Sequence, residues 1–188
     1  MTSLRHNASP QDGYLDAARA CILDVGWRRT TLTEVARRAG VSRMTIYRAW
    51  PDMGRLLGDL MTREWAGIVT ASDPEADIAD RLIDTVRALR GNELFVRIVE
   101  LDPELLLPYL LNRRGRSQDL VLALIEEALR TGQADGTVRA GDPAVIARSL
   151  VLAAHGFVLS GHTMVDDQVS EEDLYAEARV VIARVLAP

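Results

Sequence analysis

Six arginines lie close together near the amino terminus, and their side chains could bind a polyanion. Residues 26–50 contain one acid, Glu34, and the arginines Arg28, Arg29, Arg37, Arg38, Arg43 and Arg48, which gives this window a net charge of +5. A guanidinium group presents a planar fork of donors that matches phosphate oxygens and the guanine edge in the major groove. Because the 188-residue chain carries a net charge of −5, the rest of it is acidic. The asymmetry predicts one basic end that contacts a polyanion, although a solvated helix face can show the same cluster.

The segments that carry these arginines have the pattern of two short helices joined by a tight turn. Residues 31–50 read TLTEVARRAGVSRMTIYRAW. Thr31 and Glu34 have the spacing of a capping box at the start of the first helix. Gly40 supplies the positive φ that the turn needs, and Ser42 is a cap for the second helix. This layout predicts a helix-turn-helix, whose second helix enters the DNA major groove; a plain helical hairpin inside a bundle is the alternative.

Helical periodicity continues to the carboxyl terminus, without a convincing strand pattern. We therefore predict an all-α protein of about nine helices, one of which begins at Pro74. Residues 1–52 are expected to form a three-helix, helix-turn-helix DNA-binding domain, and residues 53–188 a helical ligand-binding and dimerisation domain. The single cysteine, Cys21, cannot form an internal disulfide, and the opening residues lack a secretory signal. We expect a cytoplasmic protein with no membrane partner.

The helix-turn-helix segment carries a family resemblance. The stretch TTLTEVARRAGVSRMTIYRAWPD, preceded by a helix that ends in DVGW, resembles the DNA-binding domain of the tetracycline-repressor (TetR) family. The segment DGTVRAGDP at residues 135–143 is similar to the linker that this family often has before its dimerisation helices. The resemblance implies that the first helices bind DNA and that the remainder binds a small ligand and a second subunit. Where the family commonly has Lys and Glu after the recognition helix, this chain has Met53 and Gly54, and Arg55 is expected to replace the missing phosphate contact.

Eight residues are the candidate DNA contacts. Arg43 and Arg48 are expected to bind guanine or phosphate. Thr45 would contact a phosphate or a thymine methyl group, and Tyr47 would donate its hydroxyl to the DNA backbone. Thr31 begins a helix whose free amide groups favour anions, so it can be a phosphate contact or only a cap. The complete set is Thr31, Thr33, Arg43, Met44, Thr45, Tyr47, Arg48 and Arg55.

The carboxyl-terminal helices are unusually apolar. Residues 143–161 are apolar around most of the helix circumference, so this helix must be covered on all sides. The small residues Ala153, Gly156 and Ser160 would permit close approach of another helix. Together with the resemblance to a dimeric family, this pattern predicts a homodimer; the central core helix of a monomer is the alternative.

The sequence does not predict an enzyme, a metal site or a cofactor. The histidines His6, His155 and His162 are far apart and have no cysteine or paired carboxylate nearby. A cavity among the middle helices would bind a mostly apolar ligand. The candidate ligand contacts are Trp65, Phe95, Tyr109 and His155. The hypothesis is a regulator, repressor rather than activator, that binds pseudo-palindromic double-stranded operator DNA as a homodimer and is released by a small-molecule inducer. The alternative is a helical small-molecule-binding or enzyme domain whose basic hairpin contacts a protein.

Overall fold

The computed structural model describes residues 9–71, 73 and 76–188. These residues form ten α-helices and no strand. In chain order the helices are α1 (Pro10–Val25), α2 (Leu32–Arg38), α3 (Arg43–Ala49), α4 (Met53–Thr70), α5 (Ile78–Arg90), α6 (Glu93–Leu101), α7 (Leu107–Leu111), α8 (Arg116–Asp135), α9 (Pro143–Ser160) and α10 (Glu171–Leu186).

The architecture confirms the all-α prediction, with ten helices where about nine were expected. Between α6 and α7, Pro103–Leu105 form a single 3₁₀ turn, so residues 92–112 contain two short helices, as the two prolines of this segment predict. The helix expected to begin at Pro74 begins at Ile78, because Asp77 caps it by accepting a hydrogen bond from the Asp80 amide at 2.8 Å. Pro74 itself lies outside the described residues.

Two glycines make the turns of the amino-terminal region possible. Gly26 ends α1 with a φ of 81°, and Gly40 follows α2 with a φ of 68°. Both values lie in the left-handed region, where any side chain other than hydrogen is strained. The chain can therefore reverse sharply after α1 and again between α2 and α3.

The chain divides into two compact units, and the first is discontinuous in sequence. It comprises Met1–Glu64 and Asn92–Gly115. Its core joins apolar side chains of α1, α2, α3 and the beginning of α4 with Leu94 and Ile98 of α6. The expected division between residues 52 and 53 stays a prediction.

The second unit comprises Trp65–Gly91 and Arg116–Pro188. Within it, α5 packs against α8, α9 and α10, and α8 packs against α9. Ion pairs fasten α10 along α5: Arg90 contacts Glu171 at 2.5 Å, and Arg179 contacts Asp77 at 3.1 Å. The Arg179–Asp77 pair is exposed, and pairs of this kind contribute about 0–1 kcal/mol. The Arg90–Glu171 pair is partly buried, and the packing of apolar faces supplies most of the stability of this unit.

Candidate nucleic-acid interface and apolar surfaces

The α2–α3 pair has the geometry of a helix-turn-helix. In the turn, the Val41 amide donates to the Ala36 carbonyl at 3.0 Å, and the Thr45 amide donates to the Ser42 hydroxyl at 3.1 Å, which caps α3. Ala36 and Ile46 are fully buried where the two helices cross. The small Ala36 lets the two helices approach closely, and the branched Ile46 fills the space between them. The opposite face of α3 therefore points outward.

The outward face of α3 carries residues that a folding role does not explain. Its exposed side chains are Arg43, Met44, Tyr47 and Arg48. Met44 is 63% exposed and Tyr47 is 48% exposed, although both could bury apolar surface. Thr45 is half-buried, and its hydroxyl lies 2.9 Å from the Ser42 hydroxyl. The residues at the start and middle of α3 are therefore available to a partner in solution.

Ion pairs divide the six arginines of residues 26–50 into two groups. Arg37 contacts Glu34 at 2.6 Å, and this hydrogen bond lowers the pKa of Glu34. Arg38 contacts Asp24 at 2.5 Å, and Arg28 contacts two acids that follow α6. The arginines that form no ion pair with a described residue are Arg29, Arg43 and Arg48. The two uncompensated arginines of α3 thus lie on the exposed face that also carries the methionine and the tyrosine.

Only one of the two hydrogen bonds of the predicted capping box forms at the start of α2. The Glu34 amide donates to the Thr31 hydroxyl at 3.2 Å, as predicted. The Glu34 carboxylate accepts hydrogen bonds from Arg37 instead of from the Thr31 amide. The prediction of the second hydrogen bond of the capping box is therefore wrong. Thr33 is half-buried, and Arg55 is exposed in the first turn of α4 without an ion pair to a described residue. Their contacts with phosphate stay predictions.

Asp102 is a structural residue of this unit that the sequence did not single out. It ends α6, is 3% exposed, and accepts a hydrogen bond from the Trp27 amide at 3.0 Å. Its other carboxylate oxygen contacts Arg28 at 3.3 Å. A Cβ at Gly26 would lie 3.3 Å from Leu101 Cδ1, so a glycine also leaves room for the end of α6. Asp102 therefore holds the loop that leads into α2. An aspartate followed by Pro103 indicates a helix end, but nothing local to it indicates this distant partner.

We expect Asp102→Ala to lower the free energy of unfolding by about 1–3 kcal/mol, because the Trp27 amide would lose its acceptor in a buried setting. Urea denaturation measures this change. The matched control is Glu104→Ala, which removes the other, exposed acid bound to Arg28 and should cost less than about 1 kcal/mol. Equal losses in the two variants would contradict a buried role for Asp102.

A small apolar cavity lies within the second unit, between α4, α5, α8 and α9. It has a volume of about 50 Å³, and both Trp65 and His155 line it. Burial lowers the pKa of His155, so this side chain is neutral at pH 7. Phe95 and Tyr109 belong to the first unit and do not line this cavity; the Tyr109 ring lies under the Arg113 guanidinium at 5.2 Å. The four predicted ligand contacts are therefore not brought together here.

The described part of the chain has no group of three or more His, Cys, Asp or Glu side chains that could hold a metal ion. His155 and His162 are in different elements, since His162 lies in a 3₁₀ turn after α9, and His6 is outside the described residues. Cys21 is buried, and burial raises the pKa of its thiol.

The helices α9 and α10 expose apolar side chains to solvent. On α9, Val145 and Leu152 are exposed, and Ala153, Gly156 and Ser160 continue the same face. On α10 the exposed apolar residues are Val180, Val181 and Val185. The segment Pro143–Met164 is long and apolar enough to cross a membrane by length and composition alone, a test that a core helix of a soluble protein also passes.

The helix-turn-helix region matches a family model for bacterial regulatory proteins of the tetR family over residues 15–60. An HTH-type transcriptional regulator of Mycobacterium bovis is 33% identical over 165 residues, which cover 85% of this chain and 86% of that protein. The HTH-type transcriptional regulator AqdR of Rhodococcus erythropolis is 44% identical over 59 residues, 31% of this chain and 28% of AqdR.

Solved structures of low sequence identity share the fold. The TetR-family transcriptional repressor QsdR of R. erythropolis is 17% identical with a TM-score of 0.66, and the match covers 94% of each chain. The SmeT–triclosan complex is 22% identical with a TM-score of 0.57, and covers 93% of this chain and 91% of SmeT. The near full-length match to the mycobacterial regulator carries the family assignment: this chain belongs to the TetR family of DNA-binding, helix-turn-helix transcriptional regulators.

Proposed function

We propose that this regulator is a repressor that binds pseudo-palindromic operator DNA as a homodimer and leaves it when a small, mostly apolar molecule binds. Residues 1–52 contain the DNA-reading elements. The observation that carries the proposal is the exposed face of α3, on which Arg43 and Arg48 have no compensating acid among the described residues. Arginine forks read guanine in the major groove, and Met44 and Tyr47 add apolar and hydroxyl contacts beside them.

The apolar surfaces of α9 and α10 support a homodimer. The exposed valines of both helices and Leu152 of α9 would be covered if the same surface of a second copy packed against them, as two-fold symmetry requires. Such a dimer would place two α3 helices about 34–36 Å apart, one turn of DNA, and would read two half-sites. This cover also accounts for the apolar character of α9 in a cytoplasmic protein, without a membrane.

The ligand step of the proposal is a population shift. A ligand lowers operator affinity only by the difference between its affinities for the two conformations of the protein. Because α4 runs from the end of the helix-turn-helix to the wall of the apolar cavity, we propose that it transmits the change. The complex of SmeT with triclosan is an example of a structural relative with a small apolar molecule bound.

Salt dependence tests the DNA-binding mode. The probe is a duplex that the full-length protein selects from a random DNA library, and binding is measured by fluorescence anisotropy. Two to four phosphate contacts in each subunit predict a slope of log affinity against log salt of about −4 to −7. A nearly flat dependence would contradict a phosphate-contacting α3 and would favour a protein as the partner of the basic hairpin.

A further inference from the structure

Three cavities of the second unit share lining residues and form a series. A surface depression of about 670 Å³ shares Ile78, Arg81, Leu124 and Ala128 with a cavity of about 40 Å³. That cavity shares Val69, Leu82, Thr85 and Val121 with the cavity of about 50 Å³ that ends at His155. We call the two smaller cavities together the α5 seam, because side chains of α5 line both of them.

Arg81 is the one charged residue of the α5 seam among the described residues. The other residues that line the smaller cavity of the seam are Val69, Ile78, Leu82, Thr85, Val121, Leu124, Ile125 and Ala128. At the far end, the buried His155 is neutral. Arg81 is half-buried, and its guanidinium forms neither an ion pair nor a hydrogen bond with a described residue. A guanidinium with no described partner at the edge of an apolar seam is available to an anionic head group, and charge-assisted hydrogen bonds are the stronger kind.

The acids of the surface depression do not compensate Arg81, because each has another partner. Asp77 contacts Arg179 at 3.1 Å, and Glu127 contacts Arg130 at 3.3 Å. Asp135 accepts a hydrogen bond from the Thr137 hydroxyl at 2.6 Å, which lowers its pKa. Asp77 and Glu127 thus pair with other arginines, and Asp135 is held by a neutral hydroxyl. Arg81 is therefore the one cation lining the depression and the seam that has no anionic partner among the described residues.

We propose that the ligand of this regulator is an amphiphile with a carboxylate head and a flexible alkyl tail. The head binds Arg81, and the tail lies in the α5 seam and points toward His155. This inference rests on the ligand-binding function proposed above and names the class of ligand. A volume of about 50 Å³ holds only a few water molecules, so the ligand must spread the walls as it enters. A thin chain needs less displacement of side chains than a fused ring system does.

The experiment compares three probes of equal tail length by isothermal titration calorimetry: decanoate, decanol and decylamine. We expect the native full-length protein to bind decanoate most tightly. Arg81→Gln should weaken decanoate binding by about 10- to 100-fold, the range of a lost charge-assisted hydrogen bond, and should leave decanol binding unchanged. The matched control is Arg184→Gln, an exposed arginine of α10 in the same unit, which should change neither affinity.

Each other outcome contradicts a defined step. Tighter binding of decylamine would show that the acids of the depression select the head group. Equal loss of decanoate and decanol binding in Arg81→Gln would mean a packing role, and binding of none of the probes would overturn the ligand class. A different result would separate the ligand site from the release mechanism. If decanoate binds through Arg81 but does not change the affinity of the protein for the selected duplex, the ligand site is supported and the proposed release mechanism is contradicted.

Discussion

The Gly156→Leu variant is expected to be a folded monomer that binds operator DNA at least about 100-fold more weakly than the native protein. A Cβ added at Gly156 meets no heavy atom within 4 Å, and Gly156 is exposed, so we expect a single subunit to accommodate the larger side chain. In a dimer the same side chain would separate two α9 helices that approach closely through Ala153 and Ser160. A monomer contacts only one half-site of the operator. It therefore lacks the avidity of a dimer, which raises affinity by a factor of about 10²–10⁴.

Analytical ultracentrifugation gives the mass of the Gly156→Leu variant, and fluorescence anisotropy gives its DNA affinity. The control is Gly67→Leu in α4, where an added Cβ also meets no heavy atom within 4 Å. This control should stay dimeric and should bind DNA normally. A dimeric Gly156→Leu protein with native affinity would contradict the placement of the interface on α9.

Arg48→Ala and Arg43→Ala are expected to weaken operator binding by about 1–3 kcal/mol for each half-site, at least about tenfold in a dimer that uses both. Both side chains are exposed and have no ion pair with a described residue, so neither substitution should change the free energy of unfolding. The control is Arg37→Ala on α2, an exposed arginine already bound to Glu34.

The salt dependence of the two arginine variants distinguishes the kind of contact. Loss of a phosphate contact lowers the salt slope by about 1 and weakens binding to all sequences alike, whereas loss of a base contact relaxes the preference at one position of the operator. If the Arg48→Ala variant binds operator DNA with native affinity, Arg48 does not contact the DNA.

Local signals in the sequence predicted the helix-turn-helix because its determinants lie within 20 residues. Gly40 has the positive φ that the turn requires, Ser42 caps α3, and Ile46 is buried while its neighbours face outward. The capping box at Thr31 failed in part because a nearby arginine competes for the Glu34 carboxylate. Propensity at one helix end does not account for such a competing ion pair.

The contribution of α6 to the first unit could not be predicted from the sequence. Leu94 and Ile98 enter a core whose other members come from residues 15–60, and Asp102 binds an amide 75 residues away. Helical periodicity identifies which face of α6 is apolar, but not which partner covers it. The same limit applies to the ligand contacts: Trp65 and His155 meet in one cavity, whereas Phe95 and Tyr109 are in the other unit.

The discontinuity of the first unit has a consequence for making chimaeric regulators. A chimaera that contains only residues 1–52, or even 1–64, would lack Leu94 and Ile98 of the core. The Trp27 amide would also lose its acceptor, Asp102. The exchangeable module is instead a pair of segments, and a hybrid regulator that keeps its DNA preference would have to carry residues 92–115 along with the amino-terminal helices.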